Sequence, residues 1–176
     1  MTGLVVDRDD ALIGGATAEF SPDRAYRYAL TRRWADTPPA VFVMLNPSTA
    51  DAFVEDPTIR RCLTFARQWG TGGLTVLNTF ALRSTDPRAL DGHPDPVGPD
   101  NDAVIRRHLA AAAGGPVIAA WGADRAVRAH GRDAVLCAMV RETTGQVLAC
   151  LGTTKDGAPR HPLYVRGDER PRPWSG

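Results

Sequence analysis

The stretch Ala40-Val41-Phe42-Val43-Met44-Leu45, followed at once by Asn46-Pro47-Ser48, decides how the chain folds. Thr37-Pro38-Pro39 breaks the chain before it. A continuous run of β-branched and apolar residues marks a strand buried on both faces, because successive side chains of a strand point to opposite faces. Such strands belong to parallel sheets covered by helices. The polar Asn-Pro-Ser that follows places a loop at the strand's carboxyl end, where open α/β sheets bind their ligands.

Working outward, the pattern repeats. Asp56-Pro57-Thr58 predicts a helix start, with Pro at the first helical position. Ile59, Cys62, Leu63, Ala66 and Trp69 keep helical spacing, and Gly70 offers a stop. Leu74 to Leu77 predicts a second buried strand ending at Asn78, and Ser84 to Leu90 a short helix or turn. The Pro-, Gly- and Asp-rich stretch from Asp91 to Asn101 reads as a surface loop, and Asp102 to Ala113 as a helix closed by Gly114-Gly115. Val117 to Ala120 is a third strand, followed by Trp121-Gly122. Asp124 to Thr143 predicts one helix with Val127, Ala134, Val135, Ala138 and Met139 inward. Val147 to Leu151 is the fourth strand, and the rest reads as loop. Upstream, Ala16–Phe20 and the alternating Tyr26, Tyr28, Leu30, Arg32 and Trp34 flank the turn Ser21-Pro22-Asp23 and predict an antiparallel edge hairpin. Strands alternating with helices imply βαβ units, a parallel sheet and right-handed crossovers.

Composition bounds the function. The 176 residues suit one domain, 1–176, with its core at about 40–165. No apolar run approaches the ~20 residues that cross a membrane, and the first residues lack the pattern of a secretory signal. A cytoplasmic protein, acting as a monomer without membrane contact, is expected. Cys62, Cys137 and Cys150 lie far apart without a CxxC pair, so they read as buried free thiols. No histidine or cysteine spacing suggests a metal, and no organic cofactor is expected. Neither GxGxxG after a strand nor GxxxxGK[ST] occurs, which disfavours dinucleotide and P-loop chemistry. Net charge is +1, with Lys155 the lone lysine among 21 basic residues. Arginine forks suit phosphate contacts, and equally follow from codon bias.

Four segments occur in order after the predicted strands: Leu45-Asn46-Pro47-Ser48, Leu77-Asn78-Thr79, Ala120-Trp121-Gly122 and His161-Pro162-Leu163-Tyr164. Asn46 either bonds its own loop backbone or orients a water. Asn78 either caps a turn or pairs with a nucleobase edge. His161 is either a solvated loop residue or a stabiliser of negative charge on a leaving group. Asp51, Glu55 and Asp56 crowd the loop after Asn46, with Asp56 also placed to cap the next helix. Arg60, Arg61 and Arg83 are surface residues or phosphate contacts, and Trp121 packs in the core or stacks on a base.

Together the four segments resemble the uracil-DNA glycosylase superfamily. Met44-Leu45-Asn46-Pro47-Ser48 is similar to a first motif G-[IM]-N-P-G, and Val76-Leu77-Asn78-Thr79 to an L-N-T element. Ala120-Trp121-Gly122 is similar to L-W-G, and His161-Pro162-Leu163-Tyr164 to H-P-S-P. Ser48 and Leu163 stand where that superfamily has Gly and Ser. Over its whole length the chain also resembles a bacterial family known as domain of unknown function 1643. That likeness is carried by Asn46–Asp51 (NPSTAD), Asp56–Cys62 (DPTIRRC) and Lys155–Tyr164 (KDGxPRHPLY).

The superfamily resemblance implies a three-layer α/β sandwich around a four-stranded parallel sheet of order 2-1-3-4, with the hairpin added at one edge. It implies hydrolysis of an N-glycosidic bond in DNA, the target nucleotide flipped into a pocket. Asn46 would hold the attacking water, Asn78 read the base, and His161 stabilise the departing base. Pro47, Ser48, Asp51, Phe53, Arg83, Trp121, Gly122, Leu163 and Tyr164 would line or approach the substrate. Two other readings stay open: a hydrolase of free nucleosides or nucleotides, and a non-catalytic binder of nucleic acid or base.

Overall fold

The computed structural model describes residues 3–10, 14–49, 53–54, 56–86 and 88–176. Strands β1 (Val5–Asp9), β2 (Ala16–Phe20) and β3 (Arg27–Arg33) form an antiparallel ribbon at the amino end. Then come β4 (Ala40–Met44), helix α1 (Pro57–Gln68), β5 (Gly73–Asn78), the single turn α2 (Ala89–Gly92) and α3 (Asn101–Ala111). The chain continues through β6 (Val117–Ala119), α4 (Arg125–Ala129), α5 (Arg132–Thr144), β7 (Ala149–Cys150), a 3-10 turn (Pro162–Tyr164) and β8 (Arg172–Pro173).

The architecture is mixed α/β with a central sheet flanked by helices, but the sheet is larger than the four parallel strands expected. Among the described residues it has eight strands, in the order β1-β2-β3-β5-β4-β6-β7-β8. The stretch β5-β4-β6-β7 is parallel and forms its middle. The other pairings are antiparallel. The sheet grows because β3 pairs with β5 along its full length, from Ala29 opposite Leu77 to Arg33 opposite Gly73. The β2–β3 hairpin is therefore interior, and β1 forms the edge. At the other end β8 escaped the sequence reading because it is two residues long and contains Pro173, a residue that sheets admit at their edges.

Burial on both faces explains the apolar run in β4. Val41 and Val43 pack with Val104, Ile105 and Leu109 of α3 and Leu136 and Met139 of α5. Ala40, Phe42 and Met44 pack with Ile59, Cys62, Leu63 and Ala66 of α1. The α1 boundaries follow the sequence signals: Asp56 accepts the Ile59 N–H at 2.8 Å, and Gly70 turns the chain with φ +73°.

The long helix expected from Asp124 to Thr143 is two helices. Gly131 sits between them at φ +61°, a conformation that costs other residues ~1–2 kcal/mol. Restarting the helix there resets its phase. Leu136, Met139 and Val140 face inward, while Ala134, Val135 (40% exposed) and Ala138 face solvent, contrary to the expected pattern. The fourth strand is also shorter than expected, since Val147 and Leu148 lie outside the ladder.

Candidate functional site

Parallel alignment brings the carboxyl ends of β4, β5 and β6 to one edge. Met44 is in register with Asn78, and Thr79 donates from both its N–H and its hydroxyl to the Met44 carbonyl, each at 2.8 Å. The amino end of α1 returns to the same edge. The 3-10 turn packs against α1, held by Arg61, which donates to the carbonyls of Val165 at 2.5 Å and Pro162 at 3.4 Å. These elements enclose a cavity of about 250 Å³ whose wall includes Arg27, Asn46, Asp56, Asn78, Trp121 and His161. Pro47 and Ser48 also line it, between apolar surface from Met44, Leu45, Ile59 and Val76.

Asn46 is anchored. Its amide nitrogen donates to the Ser84 carbonyl at 2.9 Å, with longer contacts to Pro47 at 3.3 Å and Leu82 at 3.5 Å. The main anchor is thus a carbonyl 38 residues further along the chain, and only the 3.3 Å contact to Pro47 falls in its own loop. An amide whose donors are held on carbonyls is fixed in orientation, and its oxygen can only accept. A water is a suitable donor to it.

Asn78 is 4% exposed and ends β5. Its carbonyl accepts from the Asn101 amide at 3.0 Å. The next carbonyl, of Thr79, accepts from Asn101 at 3.4 Å and from Arg132 Nε at 3.3 Å. Arg132 is fixed in turn by a two-pronged pair with Asp102, at 2.6 and 3.2 Å. The strand end carrying Asn78 thus rests on a buried polar support from α3 and α5. Asn101, Asp102 and Arg132 carry no sequence signal, since each lies in a helix whose partner across the sheet is unknown before folding.

His161 opens the 3-10 turn, and its Nδ1 accepts the Leu163 N–H at 3.3 Å. In the neutral ring the proton then sits on Nε2, which becomes a donor. Burial pushes the His161 pKa below its ordinary value, and the charge of Asp56 only partly opposes this. At neutral pH the ring is an uncharged Nε2–H donor.

Trp121 is buried and meets Trp174 edge to face, ring centroids 5.1 Å apart. Gly122 (φ +81°) turns the chain beside His161, and any Cβ there would lie 3.8 Å from that of His161. Gly122 lines another cavity of about 260 Å³, which shares Trp121 and is also lined by Asp124, Arg128, Asp156 and Trp174.

Other expected site residues lie elsewhere. Arg83 does not line the cavity; it donates to the carbonyls of Arg24 at 3.0 Å and Thr49 at 2.8 Å and covers the Phe20 ring. Its role is to hold the loop after Asn46. Phe53 packs at the α1 face beneath the Arg32 guanidinium, 5.6 Å from its ring centre. Leu163 (44% exposed) and Tyr164 (76% exposed) face outward, the Tyr164 ring 5.9 Å from that of His161. Asp51 lies outside the described residues. Arg27 is a wall residue that the sequence reading missed. It is 8% exposed, yet the alternation of β3 assigned it to the solvent side. A sheet continuing on both sides of β3, with both its faces covered, buries it.

Among the described residues, no group of three or more His, Cys, Asp or Glu is placed to hold a metal ion. No helix there is long and apolar enough to cross a membrane. Cys62 and Cys150 are buried free thiols, and Cys137 is half-buried. Burial pushes the Cys62 thiol far above its ordinary value, so it carries no thiolate.

The fold and site define a mixed α/β protein with a cavity of about 250 Å³, lined by two asparagines and one histidine, at the carboxyl edge of its parallel strands. The chain belongs to the family described as Protein of unknown function (DUF1643), whose model matches residues 27–163. Arg27, Asn46, Asn78, Trp121 and His161 all fall within that span. Comparison with curated proteins and with solved structures gives no match.

Proposed function

We propose that the cavity receives a nucleobase turned out of DNA and hydrolyses its N-glycosidic bond, in the manner of the uracil-DNA glycosylase superfamily. The observation that carries this reading is His161: a half-buried, neutral imidazole, its Nδ1 engaged by the Leu163 N–H and its Nε2–H left as a donor, in the wall of the cavity that Asn46 and Asn78 also line. The Asn46 amide oxygen accepts a hydrogen bond from the attacking water, and the Asn78 side chain meets the base edge. The water oxygen bonds to the sugar carbon as the carbon–nitrogen bond breaks. The electron pair leaves on the base; one proton of the water stays on the new sugar hydroxyl and the other ends on the base or in solvent. His161 donates a hydrogen bond to the negative charge that develops. A donor aimed at developing charge in a water-poor site contributes about 3 kcal/mol.

Incubation with oligonucleotides carrying uracil, hypoxanthine or a mismatch, followed by alkaline cleavage and gel analysis, tests the reading. Base release by the wild type, lost in His161→Ala and Asn46→Ala, supports it; no release from any of them overturns it. The net charge of +1 favours a second reading, since phosphate attraction supplies most non-specific DNA affinity. In it the same residues hydrolyse a free nucleoside or nucleotide. Turnover of mononucleotides without release from oligonucleotides selects that reading, and salt-dependent DNA binding without turnover selects a binding protein.

A further inference from the structure

Arg27 is a charged cavity residue that neither the superfamily resemblance nor the mechanism above uses. It comes from β3, in the antiparallel part of the sheet, and reaches a wall otherwise built by the parallel strand ends, α1 and the His161 turn. At 8% exposure it lies within the protein rather than on its surface. It interacts within the protein, and its five N–H donors let it keep such a contact and still present an edge. We infer that Arg27 reads the base, and that the base it selects is a 6-oxopurine presenting its adjacent O6 and N7 acceptors. This rests on the proposed nucleobase site and deepens it.

Three features of the cavity favour that ligand. Its volume, about 250 Å³, lies just below the ~300–1,000 Å³ of pockets for drug-sized ligands, which suits a single base ring system. Its walls combine apolar side chains with Trp121, matching a flat aromatic body. A planar guanidinium pairs in two-pronged fashion with O6 and N7 of guanine, and hypoxanthine carries the same pair of acceptors. Adenine places a donor at position 6, and pyrimidines lack N7. A phosphate group would also suit an arginine, but Asp56 lines the same cavity and its charge reaches His161 there. A phosphate would meet that carboxylate.

The test is calorimetric titration of the intact protein with hypoxanthine, adenine, uracil, 7-deazahypoxanthine and inorganic phosphate. A good two-pronged contact is expected to give hypoxanthine at least about a fivefold preference over each of the other bases. In Arg27→Lys, with its fold checked by circular dichroism, the preference is expected to fall below about twofold. The 7-deaza base removes the N7 acceptor from the ligand side, so the inference is decided even if the variant does not fold. Equal binding of hypoxanthine and its 7-deaza analogue overturns it. So does adenine or uracil binding as tightly as hypoxanthine, displacement of hypoxanthine by phosphate, or no hypoxanthine binding at millimolar concentration. The oligonucleotide assay fails separately. Selective hypoxanthine binding without base release removes the proposed reaction and keeps the role of Arg27, while release of bases without preference does the reverse.

Discussion

At the scale of single residues, the proposed reaction depends on one imidazole staying neutral. Proton binding at Nδ1 would displace the Leu163 N–H that it now accepts. Burial holds the folded His161 pKa below the unfolded reference of 6.5, Asp56 opposing. The folded state therefore binds its proton less readily than the unfolded chain, and stability falls as pH drops below the unfolded value and through the folded one. Above 6.5 the contribution is intact. Base release is expected to be level from pH 8 to about 6.5 and to decline only below that, with no inflection at an ordinary histidine pKa. A rate falling already between pH 8 and 7 would contradict the neutral-donor role. His161→Ala is expected to lower the rate about a hundredfold, with the thermal midpoint at pH 8 little changed. Asn46→Ala differs in kind: it loses the anchor on Ser84 as well as the water, so destabilisation of about 1 kcal/mol in urea accompanies the lost rate.

At the scale of elements, the strand ends were legible and the helix behind them was not. The run 40–45 announces its own burial because both faces of β4 are covered, and Asp56 and Gly70 mark α1 by capping chemistry that is local in sequence. The break at Gly131 was not legible, because an isolated glycine inside a helical pattern is usually tolerated. Its φ of +61° makes the break testable. Nothing lies within 4 Å of a Cβ built there, so Gly131→Ala is expected to cost about 1 kcal/mol from backbone conformation alone, and Gly131→Asn less. Chemical unfolding of the two variants checks the order. The support under Asn78 was equally hidden, because Arg132 and Asp102 come from different helices. Asp102→Ala leaves a buried guanidinium without its carboxylate. Because the Asp102 side chain is 45% exposed, the loss is expected to be about 1–2 kcal/mol rather than the ~3–5 of a fully buried pair. Looser placement of Asn78 is expected to weaken base binding more than it slows a bound substrate.

At the scale of the whole molecule, the pieces outside the family span, β1, β2 and β8, extend the sheet at both ends. The sequence signals the β2–β3 hairpin at one edge but neither β1 nor β8, and the pairing of β3 with β5 and of β7 with β8 is set by register between distant segments rather than by either segment alone. The amino-terminal addition is tied to the helical layer by Glu19, which pairs with Arg107 and with His108 at 2.9 Å. Burial disfavours the Glu19 charge, but His108 and Arg107 outweigh it and hold the carboxyl below its usual range. That support is present above the ordinary glutamate value and lost as pH falls through the lower folded one. The carboxy-terminal addition reaches the site. Trp174 follows β8, is buried, donates to the Gly157 carbonyl at 2.9 Å, and packs edge to face on Trp121, a wall of the cavity that holds Asn46, Asn78 and His161. Truncating a buried tryptophan costs ~3–5 kcal/mol through lost contacts and the void left behind. Trp174→Ala is therefore expected to lower the thermal midpoint by several degrees and to free Trp121 to rotate, weakening hypoxanthine binding although residue 174 lines no part of the cavity that binds it. Trp174→Phe keeps an aromatic ring against Trp121 but drops the hydrogen bond to Gly157. It is expected to recover most of the binding and only part of the stability. If Trp174→Phe binds as poorly as Trp174→Ala, the wall is not held by ring packing, and the β8 segment reaches the cavity through the Gly157 turn instead.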